Sequence, residues 1–198
     1  MSVFLFVLVL LAAYLIGAIP TGLLLTHLAG GGDIRNSGSG NIGATNVYRT
    51  VGRKLGALTL VGDAAKGALP VLAAIFLLNY DPSRTGAVAV AAFLGHCFPI
   101  YLGFKGGKGV ATALGIYLVL SPLAVLCAFL LFVGLVWKWR YISLGSISAA
   151  AAIPLLVWLF EGSLPLLLAT LVISCIVILR HRTNIQRLMH GNENKFKA

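Results

Sequence analysis

Charge and cysteine are both scarce in this 198-residue chain. Only 10% of its residues are charged, five of them acidic, against 59% apolar and a mean hydropathy of +0.97. A soluble domain of this length would have too little polar surface to cover itself, which excludes a water-soluble globular protein and leaves an integral membrane protein. Cys97, Cys127 and Cys175 are an odd number, each inside an apolar run and none spaced as a metal site or redox pair, so no disulfide framework or metal is expected. There is no low-complexity linker and no internal repeat. Halves that rock against each other, as in many transporters, are not indicated, and a single membrane-embedded domain over residues 1–198 is expected. A charged start is missing as well: Met1 to Leu28 is too long and too uncharged for a cleavable export signal and reads as a retained span.

What is there is a series of apolar runs measured against the roughly 20 residues that cross a bilayer. They lie near Val3 to Leu28, Leu55 to Asn79, Gly86 to Leu102, Val110 to Leu120, Leu123 to Trp137, Ser143 to Phe160 and Leu164 to Leu179. An all-α protein with seven transmembrane helices is expected. The fourth is short: eleven residues at about 1.5 Å each reach only about 17 Å, so it needs its flanks or is re-entrant. Charge favours crossing. With seven spans, Arg35, Arg49, Arg53, Lys54, Lys105, Lys108, Lys138, Arg140, Arg180, Arg182, Arg187, Lys195 and Lys197 share one side, leaving Arg84 opposite and Lys66 within a helix. The positive-inside rule puts that side in the cytoplasm and the N-terminus outside. The same distribution disposes of nucleic acid as a partner for a chain of net charge +10, because short loops between spans carry cations for orientation and for anionic headgroups.

Three polar segments interrupt the apolar pattern, at residues 37–46, 104–109 and 180–187. On one side of a membrane they would make a basic, glycine-lined site fit for phosphate and fed by lipid. In the first, Gly38, Gly40 and Gly43 fit the dinucleotide spacing but follow a membrane helix rather than a strand, so a Rossmann reading fails. Glycines there permit a tight turn with bare N–H groups that cradle an anion. Ser39, Asn41, Thr45 and Asn46 add side-chain donors, and Arg49 is suited to clamp a phosphate. In the second, Gly109 stands where a Walker motif needs Ser or Thr and Leu102 where it needs Gly, so ATP is not implied. Lys105, Gly106, Gly107 and Lys108 at the start of a helix still form an anion site. The bland readings are a flexible turn for the first segment and topology anchors for Lys105 and Lys108.

Asp63 and Lys66 lie three apart on one helix face and are read as a neutralised structural pair in preference to a direct substrate role. His96, before Cys97-Phe98-Pro99, reads as a packing element, and His27 as structural or headgroup-facing. Ser143 and Ser146 follow Arg140; either would cap its helix or donate to an anion, and Ser146 is the better candidate for the anion. His181, flanked by Arg180 and Arg182 and followed by Asn184 and Arg187, is placed to exchange a proton near neutral pH. Neighbouring cations should favour its neutral form.

Residues 39–49 (SGNIGATNVYR), 95–99 (GHCFP), 105–112 (KGGKGVAT) and 180–188 (RHRTNIQRL) together resemble the bacterial acyl-phosphate-dependent glycerol-3-phosphate acyltransferases over essentially the whole chain. The resemblance implies acyl transfer from a fatty acyl phosphate to the 1-hydroxyl of glycerol 3-phosphate, giving lysophosphatidic acid and phosphate, at the cytoplasmic face of a bacterial inner membrane. Its implied partners are those two substrates and membrane lipids, with no cofactor and no obligate protein partner. Other glycerophosphate acyltransferases use a histidine with an aspartate five positions later; here Gly32, Tyr101, Gln186 and Lys195 occupy the positions five beyond His27, His96, His181 and His190. Catalysis is then expected from Arg49, Lys108, Ser146, His181 and Asn184. Ser39, Gly40, Asn41, Thr45, Asn46, Lys105, Gly106, Gly107 and Arg187 would contact substrate, and Glu193 would brace Arg or Lys partners. A transporter of a small phosphorylated anion is the rival reading, and a lipid-binding scaffold a third.

Overall fold

A computed structural model describes residues 2–196; Met1, the start of the stretch weighed as an export signal, and Lys197, counted above among the tail cations, lie outside the described residues. Among the described residues every regular element is helical. The apolar runs become helices because their side chains have nowhere polar to go and the backbone must satisfy itself within each segment. The chain divides into two compact units, one ending at Leu120 and one beginning at Ser121.

In the first unit, α1 (Val3–Gly17) and α2 (Thr21–Leu28) replace the single expected first span, meeting at a 44° bend. Pro20 lacks an N–H and forces the break. The chain continues through α3 (Ala44–Thr50), α4 (Arg53–Leu77), α5 (Pro82–Cys97) and α6 (Val110–Leu120). Asp81 caps α5, its Oδ1 accepting from the N–H of Ser83 at 2.9 Å and of Arg84 at 3.1 Å, and Pro82 sits at the first turn where its missing donor costs nothing. Short α6 packs along α4, and α1 along α5. Both contacts are close because small residues face backbone: a Cβ at Gly115 would strike the Ala64 carbonyl, and one at Gly95 the Tyr14 carbonyl. That approach substitutes van der Waals contact for the hydrophobic driving force that lipid removes.

The second unit holds α7 (Pro122–Trp139), α8 (Ile142–Glu161), α9 (Leu164–Arg180) and α10 (Arg182–Met189), with α8 packed between α7 and α9. The polar tail segment, for which no helix was expected, is the helix α10, turned 56° from α9. Among the described residues four helices are long and apolar enough to cross a membrane alone, up to six counting each bent pair as one span, with α6 shorter. Large apolar side chains such as Leu130 and Trp137 lie on the outside while Thr59, Asp63, Lys66, Thr85, His96 and Thr112 are buried. That inversion of the soluble pattern is what a hydrocarbon solvent selects.

Candidate active site

The glycine loop before α3 is organised by one side chain. Asn46, 2% exposed, accepts the Ser39 N–H on Oδ1 at 2.8 Å and donates through Nδ2 to the carbonyls of Ile34, Ser37 and Asn41 at 3.2, 3.0 and 2.8 Å. Two N–H bonds serving three carbonyls leave that amide no donor for a ligand. Gly38 turns the chain at φ +61° under it, where a Cβ would strike Asn46 Oδ1. The loop's N–H groups are used internally too: Ser39 by Asn46, Gly40 by the Ser37 carbonyl, and Gly43 by Asn41 Oδ1. Bare N–H groups were expected at these positions; the expectation fails because the loop consumes them to hold its own shape. The Ser39, Thr45 and Arg49 side chains are exposed on it.

Arg35 is not equivalent to Arg49. Its guanidinium is bonded to Asp33, with Nε 2.9 Å from Oδ1. Hydrogen bonds from the Arg35 side chain and backbone N–H hold the Asp33 carboxyl at about 2, and Asp33 in turn raises Arg35 above its usual value. Arg35 therefore arrives already neutralised.

The second glycine loop is seated on the C-terminal end of α5. The Gly107 N–H donates to the His96 carbonyl at 3.2 Å, and that of Lys105 to Leu102 at 3.2 Å. A Cβ at Gly106 would strike the His96 carbonyl, and one at Gly107 the His96 Nε2. These glycines are required by close approach, so two of the N–H groups expected to be bare are again engaged. Lys105 is exposed and Lys108 half-buried. Below the loop, Asp63 and Lys66 pair at 2.9 Å as expected. Lys66 Nζ also donates to the Ile19 carbonyl at 2.6 Å, a group freed where α1 breaks from α2. His96 Nδ1 stands 3.8 Å from Asp63 Oδ1.

In the second unit, Glu193 collects three donors: Ser143 Oγ at 2.9 Å and Asn184 Nδ2 at 2.7 Å on Oε1, and Arg187 Nε at 2.7 Å on Oε2. Burial, the largest single influence, pushes its carboxyl up, but the bonds from Arg187, Asn184 and Ser143 together outweigh burial and hold it below its ordinary value. Ser143, ranked behind Ser146 from sequence, is thus the serine tied to the tail. Ser146 Oγ donates to the Ile142 carbonyl at 2.9 Å, and neither serine caps α8, whose N-cap is Tyr141. The Phe196 N–H donates to the Arg140 carbonyl at 2.6 Å and Arg140 Nε donates to the Phe196 carbonyl at 3.2 Å, fastening the tail again. His181 is 3% exposed, with Nδ1 2.8 Å from the Val177 carbonyl. A carbonyl only accepts, so Nδ1 carries the hydrogen and Nε2 is the acceptor nitrogen of the neutral ring. His27 is exposed at the end of α2.

A membrane-embedded helical protein whose polar loops pair exposed cations with tightly packed glycines belongs to the lipid-handling class rather than to the soluble enzymes. The family described as glycerol-3-phosphate acyltransferase matches residues 7–191, and the chain belongs to it. The glycerol-3-phosphate acyltransferase of Syntrophotalea carbinolica is 69% identical over 98% of both chains. That of Geobacter sulfurreducens is 61% identical over 94% of this chain and 95% of the relative. Among solved structures, PlsY (YgiH), an integral membrane glycerol 3-phosphate acyltransferase in its glycerol 3-phosphate form, superposes with a TM-score of 0.93 at 41% identity, covering 97% of this chain and 96% of that one. Its lysophosphatidic acid form gives 0.91 at 40% identity over 97% and 95%.

Proposed function

We propose that this chain is a glycerol-3-phosphate acyltransferase that takes a fatty acyl group from acyl phosphate, places it on the sn-1 hydroxyl of glycerol 3-phosphate, and releases lysophosphatidic acid and phosphate. Family membership over residues 7–191 carries the reading. The glycine and lysine loop agrees with it, since both substrates bear phosphate. In this proposal residues 1–198 act as one membrane-embedded enzyme of the bacterial inner membrane. The chain crosses seven times, α6 included, with its N-terminus outside and its site open to the cytoplasm; the cation distribution among the loops supports that orientation.

Acyl phosphate is already activated, so catalysis rests on positioning and on cations that stabilise developing charge. The sn-1 oxygen attacks the carbonyl carbon, the ester bond forms, and the bond from that carbon to the bridging oxygen breaks, its electron pair leaving on phosphate. The departing phosphate takes the hydroxyl proton. His181, whose Nδ1 lies 2.8 Å from the Val177 carbonyl, is the other candidate for that proton. In the first unit we assign one phosphate to the side chains of Ser39, Asn41, Thr45 and Arg49 and the other to Lys108 with Lys105, while Gly40, Gly106 and Gly107 act by shaping the two loops; in the second unit Ser146 is assigned a substrate contact. His181 and Asn184 orient glycerol 3-phosphate. Asn46, Arg187 and Glu193 act by holding the loop and the tail in shape. The test is purified protein in liposomes supplied with acyl phosphate and glycerol 3-phosphate. Lysophosphatidic acid with equimolar phosphate supports the reading, and counterflow of glycerol 3-phosphate with no product overturns it in favour of transport.

A further inference from the structure

A charged pair inside hydrocarbon is expensive, and apolar residues of similar size would hold the helices together at least as well. Asp63 and Lys66 are nonetheless buried, at 2% and 5% exposure, in a continuous series of contacts. The Ile19 carbonyl at the α1–α2 break accepts from Lys66, Lys66 pairs with Asp63, and Asp63 Oδ1 packs 3.8 Å from Nδ1 of His96, beyond hydrogen-bond distance of it. The opposite edge of the same imidazole abuts Gly107, while the His96 carbonyl accepts the Gly107 N–H. His96 is therefore sandwiched between an ion pair and the loop that carries Lys105 and Lys108. Gly106 and Gly109 lock that loop from both sides, against the carbonyls of His96 and Cys97 and against the Phe93 ring. The loop has no room to move toward α5 unless the imidazole shifts first.

We infer that Asp63, Lys66 and His96 are positioning residues: the buried ion pair fixes the imidazole, and the imidazole fixes the height and tilt of the Lys105–Gly109 loop against the substrate phosphate. The inference rests on the assignment of that loop to a phosphate in the proposed function. It explains why charge is retained where packing alone would accept apolar groups. It also explains why Gly107 has no Cβ, since even a methyl group would push the loop off the ring. None of the three touches substrate.

The decisive variant is Asp63→Asn with Lys66→Gln, which removes both charges together and so leaves no uncompensated ion. His96→Gln is the second variant, keeping a polar side chain of comparable length without the ring. Steady-state kinetics with each substrate varied in turn, beside thermal melting in detergent, give the readout. The expected result for both variants is a KM about tenfold higher for one of the two phosphate substrates and within twofold for the other, with melting within a few degrees of the parent. Unchanged kinetics would overturn the inference. So would a loss shared equally by both substrates alongside a lowered melting point, the signature of a merely structural pair. Should one variant fail to accumulate, the other decides by the same criterion. A parent protein inert toward acyl phosphate but active with another donor refutes the donor assignment separately, and the ratio of variant to parent KM with the working donor still decides the positioning role.

Discussion

Replacing Asn46 with Ala removes four hydrogen bonds at once from the loop that carries Ser39. Each such bond contributes about 0.5–1.5 kcal/mol net, so the four together would be worth about 2–6 kcal/mol if water could not replace them. Ser37, Gly38, Ser39 and Gly40 are exposed, and solvent will recover part of the loss, which brings the expected cost to about 2–3 kcal/mol. For a chain of this length each kcal/mol moves the melting midpoint by roughly 2–4 °C, giving a fall of about 5–10 °C. The assay is thermal unfolding in detergent followed by intrinsic fluorescence, paired with kcat/KM for both substrates. Activity should fall at least tenfold at temperatures where the variant is still folded, because the turn that presents Ser39 opens. Asn46→Asp should not rescue it: the acceptor for Ser39 survives, but a carboxylate then faces three carbonyls. A melting point within 1 °C of the parent with full activity would refute the claim that this amide organises the loop.

Glu193→Gln should loosen the tail without abolishing folding, seen as faster proteolysis after Arg187 at neutral pH. Because the folded-state carboxyl is held below its ordinary value of 4.5, the clamp contributes fully above 4.5 and is lost as the pH falls through the lowered value. The difference between parent and variant should close only on that acid side. Arg35→Ala should leave both KM values within twofold, its charge being already spent on Asp33, whereas Arg49→Ala should raise one of them at least tenfold, the scale of a charge-assisted bond to phosphate; the reverse order would contradict the assignment. Lys108→Ala should nearly abolish phosphate release, and near-normal turnover would refute its role. His181→Gln should retain most of kcat if the departing phosphate takes the proton; a loss beyond about a hundredfold would restore the histidine as an obligatory base.

The helices were legible because an apolar run in a chain so poor in charge has one way to satisfy its backbone. The bend at Pro20 was legible in principle as well, since proline at that point removes a helical donor, but the run on either side is apolar enough to read through it. The role of Asn46 was not legible, and that of Glu193 only in part: its bracing of an arginine was expected and Arg187 supplies it, but its bond to Ser143 was not. Each depends on groups brought back by folding: carbonyls five to twelve residues before Asn46, and Ser143 fifty residues before Glu193. The glycines misled for a related reason. Glycine serves equally to bare an N–H for an anion and to let two backbones touch, and only the packing of Gly107 on His96 distinguishes the two. The one sequence signal pointing to that contact was the set Asp63, Lys66 and His96, ionisable groups within apolar runs, which composition alone marks as costly and therefore retained for a reason.

Donor choice and bond cleavage are read together from turnover of acyl phosphate labelled with heavy oxygen at the bridging position, in purified protein, beside acyl-CoA and acyl carrier protein as competing donors. Acyl transfer predicts that acyl phosphate alone yields lysophosphatidic acid and that all the label leaves in phosphate. Label retained in a free fatty acid, or product formed from acyl-CoA or acyl carrier protein instead, would contradict it.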